Sequence, residues 1–142
     1  MKDKEFVLEW LKRARSHLAR AKLGKTSEEV LYEDLCFDCQ QAAEKTIKAL
    51  LISRNKKFPW THSIAKLLEL VLEEGIEIPD KVKQAIDLTD YAVRTRYPAE
   101  MEAVGEEEYE EALTLAEEVY NWADKLIGSE IILSMGVIEN GG

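Results

Sequence analysis

Histidine, cysteine, proline and glycine are all scarce in this chain, with two His, two Cys, three Pro and seven Gly among 142 residues. Two cysteines cannot build a disulfide framework. No run of about 18 apolar residues occurs, so no membrane-spanning helix is expected. The N-terminal stretch MKDKEFVLEW lacks the apolar core of an export signal, so the expected location is the cytoplasm. Basic charge is short as well: 19 Lys and Arg face 28 Asp and Glu, a net charge of −9. A uniformly acidic surface repels phosphate backbones and makes a poor default binder of nucleic acid. No Gly-rich phosphate loop is present, and no Ser/His/Asp or Cys/His arrangement can be read. The lone Cys36-Phe37-Asp38-Cys39 has no second ligand pair for zinc and lies mid-helix, where packing is the simpler role. No metal and no cofactor are expected.

What is present is helical periodicity. Hydrophobic residues make up 46% and charged residues 33%, as in a globular chain of one-domain length. A first segment over about Lys4 to Leu23 carries the stripe Val7, Trp10, Ala14, Leu18, Ala21 and stops at Gly24. A second, about Ser27 to Ser53, opens on a Thr26/Glu29 capping-box pattern. It shows two apolar faces, Leu31, Leu35, Cys39, Ala42, Thr46, Ala49 and Cys36, Ala43, Ile47, Leu50, which predicts a central helix with several neighbours. A basic loop from Arg54 to Trp60 follows. Thr61 or Ser63 caps a third segment with Ile64, Leu67, Leu68 and Val71 on its stripe, ended by Gly75. Pro79 and Asp80 open a fourth, ended by Pro98. Gly105 and three glutamates open a fifth, which Gly128 closes. The expected architecture is an all-α, up-and-down antiparallel bundle of about five helices over residues 1–127. Residues 128–142 form a tail that packs, pairs with another chain, or is loose.

Charge is unevenly distributed. From Lys45 to Trp60 there are five basic residues and no acid, while from Ala99 to Leu126 there are ten acids and one lysine. A local positive patch is therefore expected in the first half. The stretch Arg94-Thr95-Arg96-Tyr97-Pro98 stands out. A cation at a helix C-terminus meets the negative end of the dipole, but two cations two residues apart point to different sides. Planar guanidiniums beside an aromatic suit phosphate recognition. His62, beside Trp60 and the basic loop, is a weak candidate for acid–base work. His17 reads as part of a solvated face.

Several stretches together resemble the HEPN domain family: Arg13-Ala14-Arg15, the run Cys39-Gln40-Gln41-Ala42-Ala43-Glu44-Lys45-Thr46-Ile47-Lys48-Ala49-Leu50-Leu51, Thr61-His62-Ser63-Ile64, and Arg96-Tyr97-Pro98. The likeness spans roughly Lys4 to Ile127, and the QQAAEKTIKALL run is its most specific part. It implies a homodimer with its motif region near a cleft between subunits, and roles with nucleotides or RNA. It also implies a minimal nucleotidyltransferase as partner, in a toxin–antitoxin-like pair, in which some members act as metal-independent RNases. The site residues it implies are Arg94, Arg96 and Tyr97, with Lys45 and Gln41 on the signature helix. The family's RNase motif places His after Arg with four to six residues between. Counting from Arg94 or Arg96, those slots hold Ala99, Glu100, Met101, Glu102 and Ala103, and none is histidine. A standard RNase reaction is therefore not expected. A non-catalytic interaction and dimerisation module, or an RNase with a nonstandard base such as His62, remain alternatives.

Overall fold

The computed structural model describes residues 2–94 and 103–134, with side chains over 4–92 and 103–128. Every element is helical: α1 (Lys2–Leu23), α2 (Tyr32–Ser53), α3 (Ile64–Glu73), α4 (Asp80–Gln84), a 3₁₀ stretch (Ala85–Asp90), α5 (Tyr91–Arg94) and α6 (Glu106–Ser134). The segments from α4 to α5 run on without a break and form one rod, so the expected all-α bundle of about five helices is what the chain builds. None of the helices among the described residues is long and apolar enough to cross a membrane.

Each rod follows from its stripe. α1 buries Val7, Leu11, Ala14, Leu18 and Ala21. Leu11 occupies the core place expected of Trp10, whose indole is half-buried at the edge. Gly24 ends α1 at φ +69°, a conformation that disfavours a side chain. α1 and α2 form an antiparallel hairpin, since Trp10 meets Lys48 while Arg20 meets Asp38. α2 packs on α1, α3, α5, α6 and the 3₁₀ stretch, as its two apolar faces require. Cys36 and Cys39 are free thiols buried in this core. Burial, then the neighbouring Cys36 and Asp38, pushes the Cys39 thiol far up, so it packs and does not react.

The start of α2 differs from expectation. Thr26 and Glu29 do not cap it. Ser27 Oγ instead accepts from the Glu29 N–H at 3.2 Å and Val30 N–H reaches Ser27 O at 3.2 Å, closing a separate turn. The helix begins five residues beyond Ser27, at Tyr32, with Leu31 as an N-cap that makes no side-chain bond. Ser63 caps α3 as expected, accepting from the Lys66 N–H at 3.1 Å. Thr89 Oγ1 accepts another free N–H of that end, Ile64 N, at 3.1 Å, tying the 3₁₀ stretch to α3. Gly128 does not stop α6, which continues to Ser134.

Candidate functional site

Five polar residues of α2 are buried: Asp38, Gln40, Glu44, Thr46 and Lys48. Four of them are joined to neighbours in two networks, both set by helical spacing. Gln40, Glu44 and Lys48 are four residues apart and line one face. Gln40 Nε2 donates to Glu44 Oε1 at 2.8 Å, and Lys48 Nζ donates to Glu44 Oε2 at 2.9 Å. Gln41 Nε2 extends the row by donating to Gln40 Oε1 at 2.7 Å.

The loop after α2 closes over this row. Asn55 adopts φ +57°, tolerated by Asn, and Lys56 N–H returns to Leu51 O at 2.9 Å. That reversal brings Phe58, Trp60 and His62 back onto α2. The Lys48 ammonium then lies 5.9 Å from the Trp10 ring, 5.7 Å from Phe58 and 5.6 Å from Trp60. Cation–π attraction of this kind strengthens where the cation is desolvated, and Lys48 is 4% exposed. His62 Nδ1 donates to Glu44 Oε1 at 2.9 Å. Burial alone pushes the Glu44 carboxyl up, but hydrogen bonds from Lys48, Gln40 and His62 outweigh it and hold the group below its ordinary value.

The second network joins α1 to α2. Asp38 accepts from Arg20 through Nη2 at 2.9 Å and Nε at 3.3 Å, and from His17 Nδ1 at 2.8 Å. A carboxylate only accepts, so the proton of that contact belongs to Nδ1. The other ring nitrogen, Nε2, meets Lys45 Nζ at 2.8 Å. Asp38, His17 and Lys45 thus form a linear chain with one shared proton between imidazole and amine. Lys45 is held below the ordinary lysine range, by burial first and then by the nearby cations Arg13, Lys48 and Arg20, against an opposing effect from Glu44.

The sequence-derived candidates fare unequally. Lys45 and Gln41 sit on adjoining networks of one helix. His62 joins them through Glu44. Arg96 and Tyr97 lie outside the described residues, as does the side chain of Arg94, so their distance to His62 is not given by the structure. His17, read from sequence as a solvated side chain, is in fact tied at both nitrogens. The expected basic patch is partly internal: Lys48 is enclosed, and Lys56 pairs with Glu73 at 2.8 Å and Glu74 at 3.7 Å. What remains outward on this side is Arg13 and Arg20, with side chains 66% and 64% exposed, beside half-buried Lys45. A hollow of about 410 Å³ lies apart from both networks, between α1 and α6; it is lined by Arg15 and Lys22, among others. Those two cations are already engaged, by Tyr120 Oη at 3.1 Å and Glu117 at 3.2 Å. No group of three or more His, Cys, Asp or Glu among the described residues could hold a metal ion.

The HEPN domain family model matches residues 7–126. The crystal structure of ST0689, an archaeal HEPN homologue, superposes with a TM-score of 0.66 at 28% identity, covering 85% of this chain and 97% of that one. The crystal structure of TT1696 from Thermus thermophilus superposes with a TM-score of 0.67 at 32% identity, covering 84% and 96%. No curated protein matches the chain significantly.

Proposed function

We propose, from the premise that this chain belongs to the HEPN domain family, that it binds a nucleotide or an RNA phosphate. In this reading it works as a homodimer beside a minimal nucleotidyltransferase in a toxin–antitoxin-like pair. Arg13, Lys45 and Gln41 form one part of the contact, and Arg94, Arg96 and Tyr97 the other. The observation that carries the reading is the gathering of cations on the α1–α2 face of a chain with net charge −9. An acidic protein that concentrates positive charge densely enough to depress one of its own lysines has a local field suited to an anion. The indole of Trp60, 90% exposed and 6.2 Å from the His62 ring, offers a flat face on which a base can stack. Catalysis by the Arg-x(4–6)-His route is not proposed, because the histidine is missing.

Fluorescence anisotropy with a labelled single-stranded oligoribonucleotide, and with a labelled adenine nucleotide, tests this. Binding is expected to weaken about tenfold when Lys45→Ala is combined with Arg13→Ala, and again with Arg94→Ala and Arg96→Ala, since a charge-assisted contact contributes roughly 1.5–3 kcal/mol. Binding unchanged in all of these variants would reject the site. A second reading, a non-catalytic interaction and dimerisation module, is favoured by Phe6 at 55%, Leu8 at 43% and Trp60 at 90% exposure. Phe6 stacks edge-on to Trp10, and Trp10 to Phe58, so the apolar surface is continuous with the rings around Lys48. Light scattering that finds only monomer at high concentration would count against it.

A further inference from the structure

We infer that Lys45 is a reactive amine, and that the Asp38–His17–Lys45 chain lets it take an acyl group from an anionic acyl donor of the acyl phosphate class. The geometry is that of an activated nucleophile: a nucleophilic atom within hydrogen-bond reach of a base, and the base oriented by a third group. Lys45 Nζ lies 2.8 Å from His17 Nε2, and Asp38 Oδ1 holds His17 Nδ1 at 2.8 Å. Asp38 is 3% exposed and fixed by Arg20 as well, so the imidazole cannot turn freely. A neutral amine has two N–H groups and one lone pair. With one N–H directed into Nε2, the lone pair points elsewhere, available to an electrophile.

The surroundings favour this state. Burial acts on Lys45 first, and Arg13, Lys48 and Arg20 disfavour its charge further, while Glu44 opposes them. The groups facing it are therefore His17, Arg13 and Arg20 from α1 and Glu44 and Lys48 from α2, with Asp38 behind the imidazole. The outward guanidiniums of Arg13 and Arg20 also select the donor, since they attract a phosphate and offer nothing to a neutral ester. In the step, Nζ attacks the acyl carbon and an N–C bond forms. The C–O bond to phosphorus breaks and inorganic phosphate leaves. The Nζ proton passes to His17 Nε2 and then to water, and Asp38 stabilises the transient imidazolium. The product amide carries no charge. The covalent step stands independently of the anion-binding reading; only its consequence, loss of one cation from that face, rests on it.

The full chain is incubated with acetyl phosphate and site occupancy is followed by peptide mass spectrometry. Lys57 and Lys66, both exposed, serve as internal references. Lys45 is expected to acetylate about tenfold or more faster than either, since a positioned proton acceptor contributes on the order of 10²–10⁴ in enzymes. His17→Gln is expected to bring Lys45 down to the reference rate while leaving Lys57 and Lys66 unchanged, with folding checked by circular dichroism. Should that variant not fold, the wild-type pH profile decides. The Lys45 to Lys57 rate ratio is expected to grow as pH falls from about 9 to about 7, because the lowered group stays neutral longer. Equal rates at the three lysines, a folded His17→Gln with undiminished Lys45 labelling, or a pH-independent ratio would each overturn the inference. A phosphoryl adduct on Lys45 in place of acetyl would overturn the acyl assignment. Failure here leaves the anisotropy result on unmodified protein intact, so the two readings fail separately.

Discussion

Lys48 shows what a single buried charge requires of its neighbours. Its ammonium has given up water, and Glu44 with three aromatic rings replaces it. Removing one partner of a buried pair leaves the other charge uncompensated, at a cost of roughly 3–5 kcal/mol. Lys48→Met is therefore expected to lower the denaturation midpoint severely, and Lys48→Met combined with Glu44→Gln to recover most of the loss. A double variant as unstable as the single one would mean that packing, not charge, sets the cost. Glu44 also gives a pH signature. Its folded value lies below the ordinary 4.5, so the stability it contributes is present above about pH 4.5 and is lost as pH falls through the lowered value. Chemical denaturation between about pH 6 and pH 3 is expected to show a component that disappears in Glu44→Gln. Thr46 is a contrasting case: its hydroxyl is buried with no hydrogen-bond partner among the described residues. Thr46→Val, which keeps the shape and removes the unmet group, is expected to be neutral or stabilising by up to about 1 kcal/mol. A loss of more than that in thermal melting would reveal an unseen partner.

At the scale of elements, the stripes, stops and most caps were legible because each is written in neighbouring residues. Gly24 and Gly75, Ser63, Pro79 and the Glu106–Glu108 run all stand where their chemistry places them. The misplaced α2 start and the uninterrupted α6 share one physical origin. A local signal is a preference of about 1 kcal/mol, and packing outweighs it. Val104 N–H donating to Glu33 at 3.1 Å, and Tyr32 stacked on Tyr109 at 5.2 Å, anchor the α2 start from far along the chain. Gly128 looks like a stop, yet it sits inside a helix that runs on for six further residues to Ser134. A Cβ there would meet nothing within 4 Å, so Gly128→Ala is expected to stabilise by roughly 0.5–1 kcal/mol. Gly75 is equally open but sits at φ +77°, so Gly75→Ala is expected to destabilise by about 1–2 kcal/mol. Thermal melting of the two variants checks the pair, and shifts of the same sign would contradict the assigned backbone conformations.

At the scale of the molecule, the site was legible only in outline. The signature run pointed to Lys45 and Gln41, but the partnership of His17 with Asp38 and Lys45 joins residues 21 and 28 positions apart. Such a contact depends on how α1 and α2 register, which no local pattern records. The same registration turned a run of five basic residues into a mixed arrangement: Lys48 enclosed, Lys56 paired with acids, and Lys45 held at the edge. The outward field is thus carried by few groups against a net charge of −9, ten of whose acids lie between Ala99 and Leu126. That balance sets the ionic-strength dependence of binding. Arg20 is committed to Asp38, which leaves Arg13 and Lys45 to neutralise phosphate on this face. For a single strand, each phosphate neutralised contributes about −0.7 to the slope of log K against log salt, so two contacts predict about −1.4. Affinity for a short oligoribonucleotide is then expected to fall about sevenfold between 50 and 200 mM salt, and Arg13→Gln to halve the slope. Contacts from Arg94 and Arg96 would steepen it to about −2.8, and Arg94→Gln with Arg96→Gln would restore −1.4. A slope near zero would mean that the cations of α1 and α2 serve the fold alone, and that a ligand, if bound, is held by the aromatic surface around Trp60.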